Sequence, residues 1–135
     1  MTRQPPVQVE FASRRDWLEA TLSGVGGTLD DALGYWRRIG AEVARTGARR
    51  VLVIDRTHAK GTLSRHEYER MLELLREDVA STMAAAGTRV AFVLRDARLI
   101  PQVEYGVVLG RIDGVQVSLF ADAQSAKLWL RYGER

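Results

Sequence analysis

Val51, Leu52, Val53 and Ile54 form an unbroken apolar run between the pair Arg49-Arg50 and the pair Asp55-Arg56. Four successive apolar side chains, mostly β-branched, leave a strand with no wet face. Such a strand is buried on both sides, which is the condition of a parallel strand covered by helices. Asp55 stops the run, and a polar loop carries the chain to Ser64, where a long helical pattern begins. Open α/β sheets take their ligands at the carboxyl ends of such strands. The loop from Asp55 to Ser64 is therefore the first place to look for a site.

The flanking sequence supplies the remaining elements. Val7, Val9 and Phe11 alternate with Gln8 and Glu10, and Leu18, Ala20 and Leu22 alternate with Glu19 and Thr21. These are two half-buried strands, and the short turn at Ser13–Asp16 makes them an antiparallel hairpin. Thr28 with Asp31 resembles a capping box opening an amphipathic helix. That helix turns Leu29, Ala32, Leu33, Trp36, Ile39, Val43 and Ala44 inward and ends at Gly47. Trp36 lies on the apolar stripe and reads as core. The intervening SGVGGT lacks both the Walker ending and a complete G-x-G-x-x-G, so its glycines read as turn residues.

Ser64 with Glu67 forms a second capping box, followed by the stripe Tyr68, Met71, Leu72, Leu75, Val79 and Met83 up to Gly87. Thr88–Leu94 is another buried strand. Pro101 suits the first turn of a short helix reaching about Gly110, a helix weakened by Gly106 and Gly110. Val115–Phe120 is the last strand, and Asp122 caps a final helix burying Ala126, Trp129 and Leu130. The order predicts a single α/β domain over 7–132. Its sheet is mixed, mostly parallel and five-stranded, with an opening β-hairpin and flanking helices. Residues 1–6, with Pro5-Pro6, read as a flexible N-terminal arm.

At 135 residues the chain suits one core. No apolar run approaches the length needed to span a bilayer, and the N-terminus lacks the apolar core of a secretory signal. The absence of cysteine excludes disulfides and thiolate metal sites and suits a reducing compartment, so a cytoplasmic location is expected. The net charge of +3 invites a nucleic-acid reading. The arginines, however, are scattered among acids, as in Glu69–Val79, where signs alternate along a solvated face. No nucleic-acid partner and no transmembrane segment are expected.

The segments RRVLVIDR at Arg49–Arg56, TRVAFVL at Thr88–Leu94 and LFADAQSAKLWL at Leu119–Leu130, with the opening hairpin, resemble the STAS-like family in its bacterial SpoIIAA-like branch. The resemblance runs from about Val7 to Leu130. It implies a non-enzymatic domain used for protein interaction, phosphorylation switching, or binding of small or lipid-like molecules. The signalling members carry a phosphorylatable serine in an Asp-Ser-Ser-Gly-type turn opening the helix after the central strand. Here that stretch is Gly61-Thr62-Leu63-Ser64, so the switch does not carry over. Thr62 and Ser64 are the nearby hydroxyls, and Ser64 reads as a helix cap.

The densest polar cluster is Asp55, Arg56, His58, Lys60 and His66. Aspartate and histidine at a strand end can build an acid/base site, but an exposed loop with a turn-forming Asp accounts for the same residues. No H-E-x-x-H or G-x-S-x-G motif is present, so neither a metal, a cofactor nor catalysis is expected. Asp96 and Arg98 follow the next strand and would form a polar rim beside Asp55 if the two strands are neighbours. Tyr105 lies in the glycine-containing helix, whose movement would open the core to a lipid-like ligand or a partner. The reading is a cytoplasmic, non-catalytic binding or regulatory module acting through protein contacts, with a protein partner or homodimer. The alternative is a carrier holding a small apolar or amphipathic ligand between the sheet and the 101–110 helix. The candidate residues are Asp55, Arg56, His58, Lys60, Thr62, Ser64, Asp96, Arg98 and Tyr105.

Overall fold

The computed structural model describes residues 7–58, 63–96 and 99–133. The expected N-terminal arm, 1–6, lies outside them. Strands β1 (Val7–Ser13) and β2 (Leu18–Gly24) form the hairpin, in full antiparallel register from Val7 opposite Gly24 to Ser13 opposite Leu18. β3 (Arg50–Asp55), β4 (Arg89–Leu94) and β5 (Gln116–Phe120) then add in chain order, each parallel to the last. The α/β class and the mixed, mostly parallel five-stranded sheet are as the sequence predicts.

Connections of one hand between strands laid in sequence bring their helices to one side of the sheet. α1 (Leu29–Thr46), α2 (Arg65–Leu75), α3 (Ser81–Ala86) and α4 (Ile100–Ile112) share one core there with Val51, Val53, Val90, Phe92, Leu94 and Val117. The alternate residues Leu52, Ala91 and Val93 face the other way and meet α5 (Ala123–Tyr132) through Ala126 and Leu130. The VLVI run is thus apolar throughout because each of its faces has a cover.

Helix ends follow the expected chemistry. Thr28 Oγ1 accepts the Asp31 amide at 3.1 Å, and Ser64 and Glu67 complete a reciprocal capping box. α1 and α3 close on Gly47 and Gly87, both left-handed, at φ 70° and 66°. Asp122 Oδ1 accepts the Ser125 amide at 2.8 Å.

Three details depart from the sequence reading. Ala44 is exposed, because it lies at the edge of the α1 stripe beyond Val43. The helix after the loop is not uniform: a π-helical turn, Arg76–Ala80, joins α2 to α3. Leu75, Val79 and Met83 are spaced by four, which outruns the 3.6-residue turn, and the wider turn takes up the surplus so that all three stay inward. The helix opened by Pro101, α4, runs Ile100–Ile112, longer than expected, and its glycines have packing roles. A Cβ on Gly106 would stand 2.6 Å from Cδ1 of Tyr68, and one on Gly110 3.4 Å from Cγ1 of Val117.

Candidate functional site

Asp55 ends β3 with Leu22 and Leu94 beside it on the neighbouring strands. Its Oδ1 accepts both the Thr57 amide at 2.9 Å and the Thr57 hydroxyl at 2.6 Å, closing an Asx-type turn. The following loop keeps to β2: the Arg56 amide donates to the Leu22 carbonyl and the His58 amide to the Gly24 carbonyl, at 2.9 and 2.8 Å. This continuation points Thr57 inward, close to Gly26, and leaves Arg56 and His58 on the outside.

Behind Asp55 and Thr57 lies a cavity of about 160 Å³ between the sheet and the helix layer. α1 contributes Ala32, Tyr35 and Trp36. α2 and the π turn contribute Tyr68, Met71, Leu72 and Val79, and α4 contributes Val103, Gly106 and Val107. The floor is Val90, Phe92 and Leu94 of β4 with Val117 of β5. The rings follow one wall, with Tyr35 and Trp36 centroids 5.6 Å apart and Trp36 and Phe92 5.9 Å apart. Trp36, read from the sequence as core, is half-buried and borders this space.

The π turn and Gly106 explain why the space exists. Val79 is seated against Gly40, where a Cβ would come within 3.0 Å of its Cγ2. Tyr68 stands with its ring on Gly106, in edge contact with Tyr105 at 6.3 Å. Each contact draws a helix close at one point and leaves room beside it. π turns of this kind occur often at functional sites.

Outside, the cavity opens to a polar crevice lined by Asp55, Thr57, His58, Leu94, Arg95, Asp96 and Leu99. Asp55, Thr57, Leu94 and Leu99 border both spaces, so the crevice is the mouth of the cavity. Arg95 Nη1 reaches the Arg56 carbonyl at 3.4 Å and His58 Nε2 at 3.3 Å, fastening the β3 and β4 loops together. Asp55 and His58 are not hydrogen-bonded to each other among the described residues; the first meets Thr57 and the second Arg95. Burial lifts the Tyr35 phenol well above its ordinary range, with a smaller push from the Asp55 charge. Burial, again with Asp55 behind it, raises Tyr68 to about 12. Both phenols therefore stay protonated beside the carboxylate.

The structure gathers Asp55, His58 and Asp96 at this mouth. It places Ser64 elsewhere, as the α2 cap. Arg56 is exposed, and it meets the mouth through its backbone carbonyl, which accepts from Arg95. Tyr105 is outside the cavity: its hydroxyl donates to Glu69 at 2.8 Å and the Arg65 guanidinium covers its ring at 5.1 Å, so it clasps α4 to α2. The Glu69 carboxylate holds the Tyr105 phenol proton and raises its pKa. Lys60, Thr62 and Arg98 lie outside the described residues. Sequence reasoning missed Tyr35, Thr57, Tyr68 and Arg95. Tyr35 adjoins the α1 stripe and Tyr68 starts the α2 stripe, so periodicity marks them only as packing. Among the described residues, no three His, Asp or Glu side chains converge as metal ligands do, and no helix is long and apolar enough to cross a membrane. No protein-family model matches the chain, and no curated protein matches it in sequence.

Proposed function

We propose that the chain is a binding module for a small apolar or amphipathic molecule, seated between the sheet and α4 with its polar end at Asp55 and Thr57. The cavity carries this reading. A ligand site is characteristically an apolar concavity with a few convergent polar groups, and it sits at the carboxyl ends of parallel strands. At about 160 Å³ the space is far larger than the 10–15 Å³ that one water needs on the same measure, and it matches cavities that admit a single ring. The STAS-like resemblance is compatible with this reading, since binding of small or lipid-like molecules is one of the non-enzymatic roles it implies beside protein interaction and phosphorylation switching, and the lack of cysteine suits a cytoplasmic protein.

The test is native mass spectrometry of the purified protein against its denatured mass, joined to methyl NMR during titration with hexan-1-ol. Expected are an adduct lost on denaturation and shifts concentrated at the Leu72, Met83 and Val107 methyls. Shifts confined to the exposed Leu128 would overturn the reading.

A second reading, regulation through protein contacts or a homodimer, is favoured by α4. Val108 and Ile112, 46% and 75% exposed, stand one turn apart on its outer side. Sedimentation equilibrium of Ile112→Arg against the wild type tests self-association through that side. An unchanged mass in both excludes it.

A further inference from the structure

The chemistry around the cavity also selects among amphipathic ligands, an inference that rests on the cavity being a ligand site. Among the described lining residues Asp55 is the only charged side chain. Its Oδ1 is occupied by Thr57, while its Oδ2 receives no hydrogen bond from a described residue and forms no ion pair with one. On this half-buried residue at the threshold, that oxygen is an acceptor to which no described residue donates. The wall next to it consists of the Tyr35, Trp36, Tyr68 and Phe92 rings, whose negative faces attract cations and repel anions.

Two of the helix N-termini at this end of the sheet are already used. The α1 N-terminus carries Asp30 and Asp31 in its first turn, and the Thr28 hydroxyl is bonded to Asp31. The α2 N-terminus is closed by the Ser64–Glu67 capping box. An anionic headgroup would find the α1 and α2 ends closed. The α4 end at Leu99 has no side-chain cap, but Pro101 removes one amide from its first turn, and an anion there would still face the Asp55 carboxylate across the mouth. Arg95, the arginine among the described residues of the outer crevice, is turned to the Arg56 carbonyl and to His58, and Asp96 lies in the same crevice.

The geometry points to a protonated amine with a short apolar body as the ligand, its ammonium on Asp55 Oδ2 and its tail among Tyr35, Trp36, Phe92 and Val107. The volume limits the tail to one ring or a chain of about six carbons.

Isothermal titration of the full chain with hexylamine, hexan-1-ol and hexanoate at neutral pH tests this. The three probes share a tail, and the amine is fully protonated there. A charge-assisted hydrogen bond in a partly desolvated mouth should make hexylamine bind about tenfold or more tighter than the alcohol, with hexanoate weakest. In Asp55→Asn the amide oxygen still accepts from Thr57, so the turn persists. The variant should lose the amine preference and bind hexylamine no tighter than hexan-1-ol. Far-UV circular dichroism reports whether the variant is folded, and should it fail to fold, the wild-type ranking decides alone. Hexanoate equal to or tighter than hexylamine, or an amine preference intact in Asp55→Asn, overturns the assignment while leaving the cavity a ligand site. No heat from any of the three overturns both.

Discussion

Replacing Gly106 with alanine puts a methyl carbon 2.6 Å from Cδ1 and 2.7 Å from Cε1 of Tyr68. Non-bonded carbons settle at about 3.5–4.0 Å, so the ring has to retreat by about 1 Å. Forcing an extra methyl into a packed contact costs about 1–3 kcal/mol. Alanine in a helix interior returns about 1 kcal/mol over glycine. The net is a loss of about 1 kcal/mol, and because Tyr68 lines the cavity, a ring displaced into it should lower ligand uptake as well. Tyr68→Leu removes the ring; in that background Gly106→Ala should instead stabilise by about 1 kcal/mol. The double-mutant cycle, read by urea denaturation, should therefore give a coupling of about 2 kcal/mol. Equal stabilisation in both backgrounds would mean that the ring does not rest on Gly106, and the account of how the cavity is held open would fall.

Ser64→Ala dismantles the α2 capping box and should cost about 1 kcal/mol in urea melts; a cost near zero would refute the cap as the role of this serine. The buried Trp129 Nε1 finds no acceptor among the described residues, so Trp129→Phe relieves an unpaired donor while keeping a ring against Phe120. Its loss should stay below about 1 kcal/mol, against about 3–5 kcal/mol for deleting a core aromatic, as measured by the same melts. The Tyr68 phenol, raised to about 12, ionises later in the folded chain than in the unfolded one, where the ordinary value is 10.0. The stabilisation is complete below pH 10 and drains away as pH climbs toward 12, because the unfolded state gives up its proton first. At pH 11 the phenolate absorbance of the folded protein should be the same in wild type and Tyr68→Phe, and a clear drop in the variant would contradict the burial.

The sequence by itself determined the elements and the class of the sheet. The VLVI run needed cover on both faces, the alternation in Val7–Phe11 and Leu18–Leu22 needed one, and Ser64, Asp122, Gly47 and Gly87 announced helix ends through groups that only local backbone must satisfy. These signals are short-range: a period of two, a period near 3.6, a hydroxyl three residues before an amide. Asp55 was legible as the end of its strand for the same reason, since strand ends are marked where an apolar run stops. What the tertiary structure decided was everything set by the distance between elements. Gly106 and Gly110 look like flaws in a helix until Tyr68 and Val117 are found against them, and the four-residue steps Leu75, Val79 and Met83 conceal a π turn. Tyr35 and Tyr68 carry the same apolar pattern whether they close a core or border a space. Periodicity reports which way a side chain faces, whereas a cavity depends on how far away the opposing layer stands, and that distance is fixed by contacts between residues tens of positions apart.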